Sequence, residues 1–278
     1  MSKHEFTALV TGGASGIGEA TARKLASRGI SVLIGDMNRA RGEKVAAEIR
    51  ELYGVRAAFY PLDVTDEANV KAFVEHATQW TGRLDFAANC AGICENVWDG
   101  EESITAELFD QTHAVNAKGV WLCQKYEAAQ MLRQEPRPVV FSPPPPPSHV
   151  IPGQRGSIAN VASVSGLHAN GLAAYTPSKY AVVAVTKNGA KFYGPSGVRC
   201  NAVCPGYVMT PMTEYSMGEA AKPGTKENEA AATRLQVAMG RMAFPQEQAN
   251  LLSFLLSDES SYMNGSIVVN DGGFHDIR

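Results

Sequence analysis

Apolar positions along the chain fall into two rhythms that alternate. Short apolar runs of strand length, "FTALV", "SVLIGD", "RAAFYPLDV" and "RLDFAANCAG", are separated by stretches in which apolar residues recur every three or four positions. Those stretches are "GEATARKLASRG", "RARGEKVAAEIREL" and "DEANVKAFVEHATQW", the last with Asp66 at its start, where a carboxylate suits the helix dipole. The rhythm continues with a long helix over 106–134, then "GSIANVAS", the helix "AAYTPSKYAVVAVTKNGAKFY", "VRCNAVCPG", the helix "PQEQANLLSFLLSD" and a last run, "GSIVVNDGG". Strands that are apolar throughout are buried on both faces, which is the mark of a parallel sheet covered by helices. The pattern predicts an α/β, doubly wound (Rossmann-type) parallel sheet of about seven strands with helices on both faces. No internal repeat or linker divides it, so one domain is expected over 1–278.

Two segments depart from the pattern. Residues at about 134–155 form an insertion that contains a five-proline run, Pro143–Pro147. Proline lacks the amide donor and fixes φ, so this run is neither helix nor strand but polyproline-like or disordered. It enters the N-terminal end of a strand, whereas ligands of such sheets sit at the C-terminal ends, so a surface spacer is expected rather than part of a site. The second segment, at about 208–240, is polar and Met-bearing and reads as a substrate lid.

Composition narrows the class. With 45% hydrophobic and 19% charged residues and a formal net charge of −3, the chain is an ordinary globular one without the basic face that nucleic acid needs. No run approaches the roughly 20 apolar residues of a membrane span and no signal core is visible, so a cytoplasmic protein is expected. Five cysteines (Cys90, Cys94, Cys123, Cys200, Cys204), odd in number and without a CxxC, are read as packed thiols, with no metal site.

Chemistry enters with the turn after the first strand. "LVTGGASGIGEA" places Gly12, Gly16 and Gly18 in a GxxxGxG spacing that opens a helix; such glycines let the backbone close on a pyrophosphate at a helix N-terminus. Asp36 ends the second strand, about 20 residues on, where an acidic side chain accepts from ribose hydroxyls. Tyr175 and Lys179 in "YTPSK" lie one helical turn apart and share a face. Together with "NCAG", Asn116 and Ser163, these motifs occur in the order and spacing of the short-chain dehydrogenase/reductase family, which the chain resembles over its whole length apart from the proline-rich insertion.

That resemblance implies roles. Tyr175 would accept the proton of a substrate alcohol as the carbinol carbon gives hydride to nicotinamide C4. A phenol of pKa near ~10 needs help for this, which Lys179 and the positive nicotinamide ring would provide. Lys179 would also hold the nicotinamide ribose, Ser163 the substrate oxygen, and Asn116 a water linking Lys179 to solvent. The cofactor would rest on Gly12, Ser15, Gly16, Ile17, Gly18, Asp36, Met37, Asp63, Val64, Asn89, Ala91 and Gly92, and on Tyr175, Lys179, Pro205, Gly206, Val208 and Thr210. Asp36 favours NAD over NADP, whose 2′-phosphate would meet it as a like charge, although Arg39 and Arg41 lie just downstream and could soften the preference.

The substrate is expected to be a bulky apolar or alicyclic secondary alcohol or ketone, as in relatives acting on terpenoid or polyketide alcohols of secondary metabolism. Trp98, the loop 164–174 and Met209, Met212, Tyr215 and Met217 are the candidate specificity elements. Alternatives are an NADPH-dependent carbonyl reductase on the same fold, a dinucleotide-binding regulator without turnover, and a module that docks partners through the proline run. Apolar residues on more than one side of two helices (Leu108, Val115, Val120, Trp121, Tyr126; Val182, Val183, Val185, Phe192) predict a homodimer or, more favoured, a homotetramer. No nucleic-acid or membrane partner is expected.

Overall fold

In the first strand, β1 (Thr7–Thr11), neighbouring side chains point to opposite faces of the sheet, and both faces are covered. Ala8 and Val10 pack in one apolar layer with Leu25, Val45, Ile49, Leu252 and Leu255. Leu9 packs in the other with Phe73, Leu84, Leu122, Met131 and Ile158. β2 (Ser31–Asp36) repeats the division, Val32 and Ile34 against Leu33. This is why the strands read as unbroken apolar runs. The computed structural model describes residues 6–95, 100–141, 143–144, 151–169, 172–217, 226 and 236–275, with side chains 81 and 215–217 outside it.

Seven parallel strands stand in the order β3-β2-β1-β4-β5-β6-β7, the last five being β3 (Ala57–Pro61), β4 (Phe86–Asn89), β5 (Gly156–Val161), β6 (Val198–Pro205) and β7 (Ile267–Asn270). The order reverses between β1 and β4, which opens the crevice where such sheets take ligands. Thr11 pairs with Asn89 and with Gly35 at that edge, so the C-terminal ends of β1, β2 and β4 come level.

The helices follow the predicted alternation. α1 (Gly16–Ser27) and α2 (Arg39–Tyr53) cover one face with α8 (Pro245–Leu256); α3 (Glu67–Thr81), α5 (Val120–Leu132) and α6 (Tyr175–Tyr193) cover the other. Asp66 does cap α3, accepting from the N–H groups of Ala68 and Asn69. The long helix expected over 106–134 is a composite: α4 (Ala106–His113), one π-helical turn (Ala114–Gly119) and α5. A π turn inserts an extra residue and re-aims side chains, a device common at functional sites. Asn116 lies in it. A short helix, α7 (Pro211–Met217), begins the lid segment.

The insertion leaves the sheet at its N-terminal end. Arg137 and Gln154 pair in an antiparallel bridge, Arg137 makes a double salt bridge to Asp258 (2.6 and 2.8 Å), and Gln154 Nε2 donates to the Ser261 carbonyl (2.9 Å). Both limbs are thus clasped before the proline run, of which Pro145–Pro147 lie outside the described residues. Trp98 lies outside them too, as do the side chains of Tyr215 and Met217.

Candidate active site

A cavity of about 420 Å³ lies along the C-terminal ends of β1, β2, β4, β5 and β6. Its floor at β1 is glycine because nothing larger fits. A Cβ on Gly18 would stand 2.1 Å from the Gly12 carbonyl oxygen, and one on Gly12, at φ +64°, would stand 2.8 Å from Ala91 N. The first hydrogen bond of α1 joins Glu19 N–H to the Ser15 carbonyl (3.0 Å), so the N–H groups of Gly16, Ile17 and Gly18 precede the helical ladder at the cavity wall. This is a cradle for an anion, and its shape fits a dinucleotide pyrophosphate.

Asp36 follows at the end of β2. Its carboxylate accepts from Ala14 N–H (3.0 Å) and Asn38 N–H (2.9 Å) and borders the cavity with Met37, Asp63 and Val64. The two downstream arginines are engaged elsewhere. Arg41 forms an ion pair with Glu19 (2.7 Å) and donates to the Ala14 carbonyl, and Arg39 pairs with Glu43 (3.1 Å).

The turn after β4 is fastened from three sides. Thr11 Oγ1 accepts from Cys90 N–H (3.1 Å) and Ala91 N–H (3.2 Å). Asn116 bonds the backbone of Ile93 in both directions, its Oδ1 accepting from the N–H (2.9 Å) and its Nδ2 donating to the carbonyl (2.8 Å). The third tie is Glu95, which reaches the start of α6, accepting from the N–H groups of Ala174 and Tyr175.

At the far end stand the residues of the expected chemistry. Ser163, just beyond β5, lines the cavity with Tyr175, and its hydroxyl acts to lower the Tyr175 phenol. Lys179 Nζ lies 5.4 Å from the Tyr175 ring centroid and donates to the Val161 carbonyl (3.0 Å). Tyr175 is half-buried and Lys179 buried. Pro205, Gly206, Val208 and Thr210 line the wall beyond β6.

Two predicted residues do not reach the cavity. Asn89 is buried beneath it, its Nδ2 donating to Glu127 Oε2 (2.9 Å) and Asn160 Oδ1 (3.0 Å). Asn116 is buried as well, its amide held by Ile93 and by the Ser178 hydroxyl (3.0 Å). Gly92 stands beside both Asn116 and Lys179: a Cβ there would lie 3.2 Å from Asn116 Oδ1 and 3.5 Å from Lys179 Nζ.

The chain's own groups do not by themselves lower the Tyr175 phenol. Its phenol is pushed up, first by desolvation, with the Ser163 hydroxyl pulling the other way. Lys179, the cation expected to oppose this, is itself lowered to about 8 by burial. Two groups that share one desolvated pocket each resist charge, and a helical turn of spacing does not reveal that. The cysteines of the wall are protonated packed thiols, Cys90 and Cys94 both pushed up to about 12 by burial.

Several lining residues carry no motif of their own: Ile93, Leu172 and Thr213 fall in the segments expected to set specificity, whereas Tyr207 and Phe274 were not foreseen. Phe274 arrives from the chain's end. Gly272 and Gly273 at positive φ turn it back, the Asp271 carboxylate accepts from Gly273 N–H (2.9 Å) and His275 N–H (2.7 Å), and the ring packs edge-on against Tyr207. Of the expected specificity residues, Met212 lines the cavity and Met209 does not.

A parallel sheet with this strand order and this Ser–Tyr–Lys grouping defines a nicotinamide-dependent oxidoreductase fold, and comparison with known proteins gives its family. Residues 6–142 match the family model described as short chain dehydrogenase, and 147–275 match that described as Enoyl-(Acyl carrier protein) reductase. The chain is similar to the short-chain dehydrogenase fogB of Aspergillus ruber, 37% identical over 96% of this chain and 95% of that one. It is similar also to a 2,5-dichloro-2,5-cyclohexadiene-1,4-diol dehydrogenase of Sphingobium indicum, 35% identical over 96% of both. Among solved structures, levodione reductase superposes with a TM-score of 0.84 at 33% identity, covering 98% of each chain. The chain belongs to the short-chain dehydrogenase/reductase family and is an oxidoreductase of that family, whose members bind NAD(H) or NADP(H).

Proposed function

We propose that this chain is an NAD-dependent oxidoreductase that interconverts a secondary alcohol and a ketone on a bulky apolar, alicyclic skeleton. The observation that carries this reading is one cavity with Asp36 at one end and the Ser163–Tyr175–Lys179 group at the other. Bound NAD supplies the hydride acceptor for alcohol oxidation, and its reduced form the donor for ketone reduction.

The chain's residues do the rest. The glycine turn and the start of α1 hold the pyrophosphate, and Asp36 accepts from the adenosine ribose hydroxyls. A 2′-phosphate in their place would meet a carboxylate, and the nearest arginines are already paired with Glu19 and Glu43. Ser163 Oγ and the Tyr175 hydroxyl, both at the cavity wall, converge on the substrate oxygen. Tyr175 takes the alcohol proton, or returns it to the ketone oxygen; the upward shift keeps the phenol protonated at neutral pH, the form that ketone reduction starts from. Lys179 holds the nicotinamide ribose, and a water beside Gly92 and Asn116 passes protons from Lys179 toward solvent.

The substrate end is apolar and partly aromatic, built from Ile93, Val164, Leu172, Tyr207, Met212 and Phe274. A relative named for a cyclohexadiene diol, the 2,5-dichloro-2,5-cyclohexadiene-1,4-diol dehydrogenase, supports an alicyclic skeleton. Exposed aromatic side chains on α4, α5 and α6 (Phe109, Trp121, Tyr180, Phe192) support a homo-oligomer, with a tetramer favoured.

The test is Tyr175→Phe, assayed by nicotinamide absorbance with a panel of cyclic secondary alcohols and ketones. The variant is expected to lose on the order of 10²–10⁴ in kcat while NADH affinity stays within twofold. Near-wild-type turnover by the variant would overturn the assignment.

A further inference from the structure

The residue that places Tyr175 is on another element. α6 begins badly by its own sequence: the N-cap is Ala174, which has no side-chain oxygen to offer the first-turn amides, and no cap hydrogen bond comes from it. Pro177, in the first turn, has no N–H to satisfy. Thr176 N–H already reaches the Leu172 carbonyl (3.1 Å) and Ser178 N–H the Ala174 carbonyl (3.3 Å). The donors left over are those of Ala174 and Tyr175, and both go to Glu95, Ala174 to Oε1 (2.9 Å) and Tyr175 to Oε1 (3.1 Å) and Oε2 (2.9 Å).

Glu95 is 2% exposed, and among the described residues no lysine or arginine pairs with it. A buried carboxylate without a cation is costly unless N–H groups and a helix N-terminus balance it, and here they do. Glu95 also ends the turn that carries Ala91 and Gly92 at the cofactor wall, the turn that Thr11 and Asn116 hold from the other side.

We propose that Glu95 is the positioning residue of the active site: its carboxylate caps the catalytic helix from the neighbouring turn, registering Tyr175 against the cofactor wall and placing one fixed negative charge beside the phenol. This rests on the oxidoreductase reading of the same cavity and adds to it a residue that touches neither substrate nor cofactor. The ionisable groups facing Tyr175 are Lys179 on its own helix, Cys94 and Glu95 on the turn after β4, and Cys204 on β6. Burial keeps both thiols neutral, so Glu95 is the carboxylate among them, and its charge works to raise the phenol.

Three substitutions separate position from charge. Glu95→Ala removes both. It is expected to lower kcat by roughly ten- to a hundredfold, the scale of a misplaced catalytic group, to leave the NADH dissociation constant within twofold, and to speed hydrogen exchange at the amides of Ala174 and Tyr175. Glu95→Asp, one methylene shorter, should recover part of the turnover. Glu95→Gln keeps an acceptor but no charge, so the acid limb of its kcat–pH profile should move to lower pH. Wild-type kcat and exchange in Glu95→Ala would overturn the proposal, as would an unmoved pH profile in a folded Glu95→Gln. Hydrogen exchange needs no turnover. A wild type inert toward every alcohol and ketone, with exchange still dependent on Glu95, would sink the proposed reaction and leave the capping role standing.

Discussion

Replacing Glu127 with glutamine is expected to stabilise the protein, and to do so only above acid pH. Glu127 sits on α5 beneath the sheet, 1% exposed, with Asn89 Nδ2 donating to its Oε2 at 2.9 Å and no basic partner among the described residues. Desolvation outweighs that hydrogen bond and raises its carboxyl from 4.5 to about 8. Below pH 4.5 the group is neutral in both folded and unfolded chains and costs nothing. Between 4.5 and 8 the unfolded chain releases the proton and the folded chain keeps it, so stability falls by about 1.4 kcal/mol per pH unit. At pH 7 the accumulated cost is about 3 kcal/mol, and by pH 8 and above it levels near 5 kcal/mol.

Glutamine has the same shape and no proton to release, so the variant avoids this loss. The assay is urea denaturation of both proteins at pH 5, 6, 7 and 8, with the slope checked for constancy. The other titrating groups are common to both chains and cancel in the difference. A stability difference that does not grow with pH, or a variant weaker at every pH, would refute the assignment of a buried neutral carboxyl.

The other predictions concern the site and its surroundings. Asp36→Ala should weaken NAD binding by about tenfold or more, since hydrogen bonds to a charged acceptor contribute about 1.5–3 kcal/mol; NADP should change little, because the Ala14 and Asn38 amides lose their acceptor as well. Calorimetric titration with both cofactors decides it, and tighter NADP binding by the wild type would remove the NAD preference. Deleting 141–150 should leave the KM for NAD unchanged, because Arg137, Gln154 and Asp258 clasp the insertion at the opposite end of the sheet; a large rise would contradict that separation. Light scattering at micromolar concentration should give a mass two or four times one chain's 29.7 kDa, reduced by Trp121→Glu with Phe192→Glu; a single-chain mass independent of concentration would remove the assembly.

Periodicity along the chain was sufficient for the seven strands, their parallel pairing and the helices between them, because a strand buried on both faces and a helix buried on one leave different apolar spacings. The glycine turn, Asp36, Ser163, Tyr175 and Lys179 were legible for a related reason. Each owes its place to a strand end or a helical turn close by in sequence, and all of them line the one cavity. What depended on distant contacts was not legible. The π turn that carries Asn116 has no signature in "HAVNAKG", and its amide's bonds to Ile93 and Ser178 span 23 and 62 positions. Glu95 and Glu127 look like ordinary surface glutamates until folding buries them, one across α6 and the other under Asn89. Phe274 becomes a cavity wall only because Asp271 curls the tail back. The acidities of Tyr175 and Lys179 were likewise out of reach: spacing brings the two groups together, but the water removed around them sets which charge each can hold, and that is a property of the packed pocket alone.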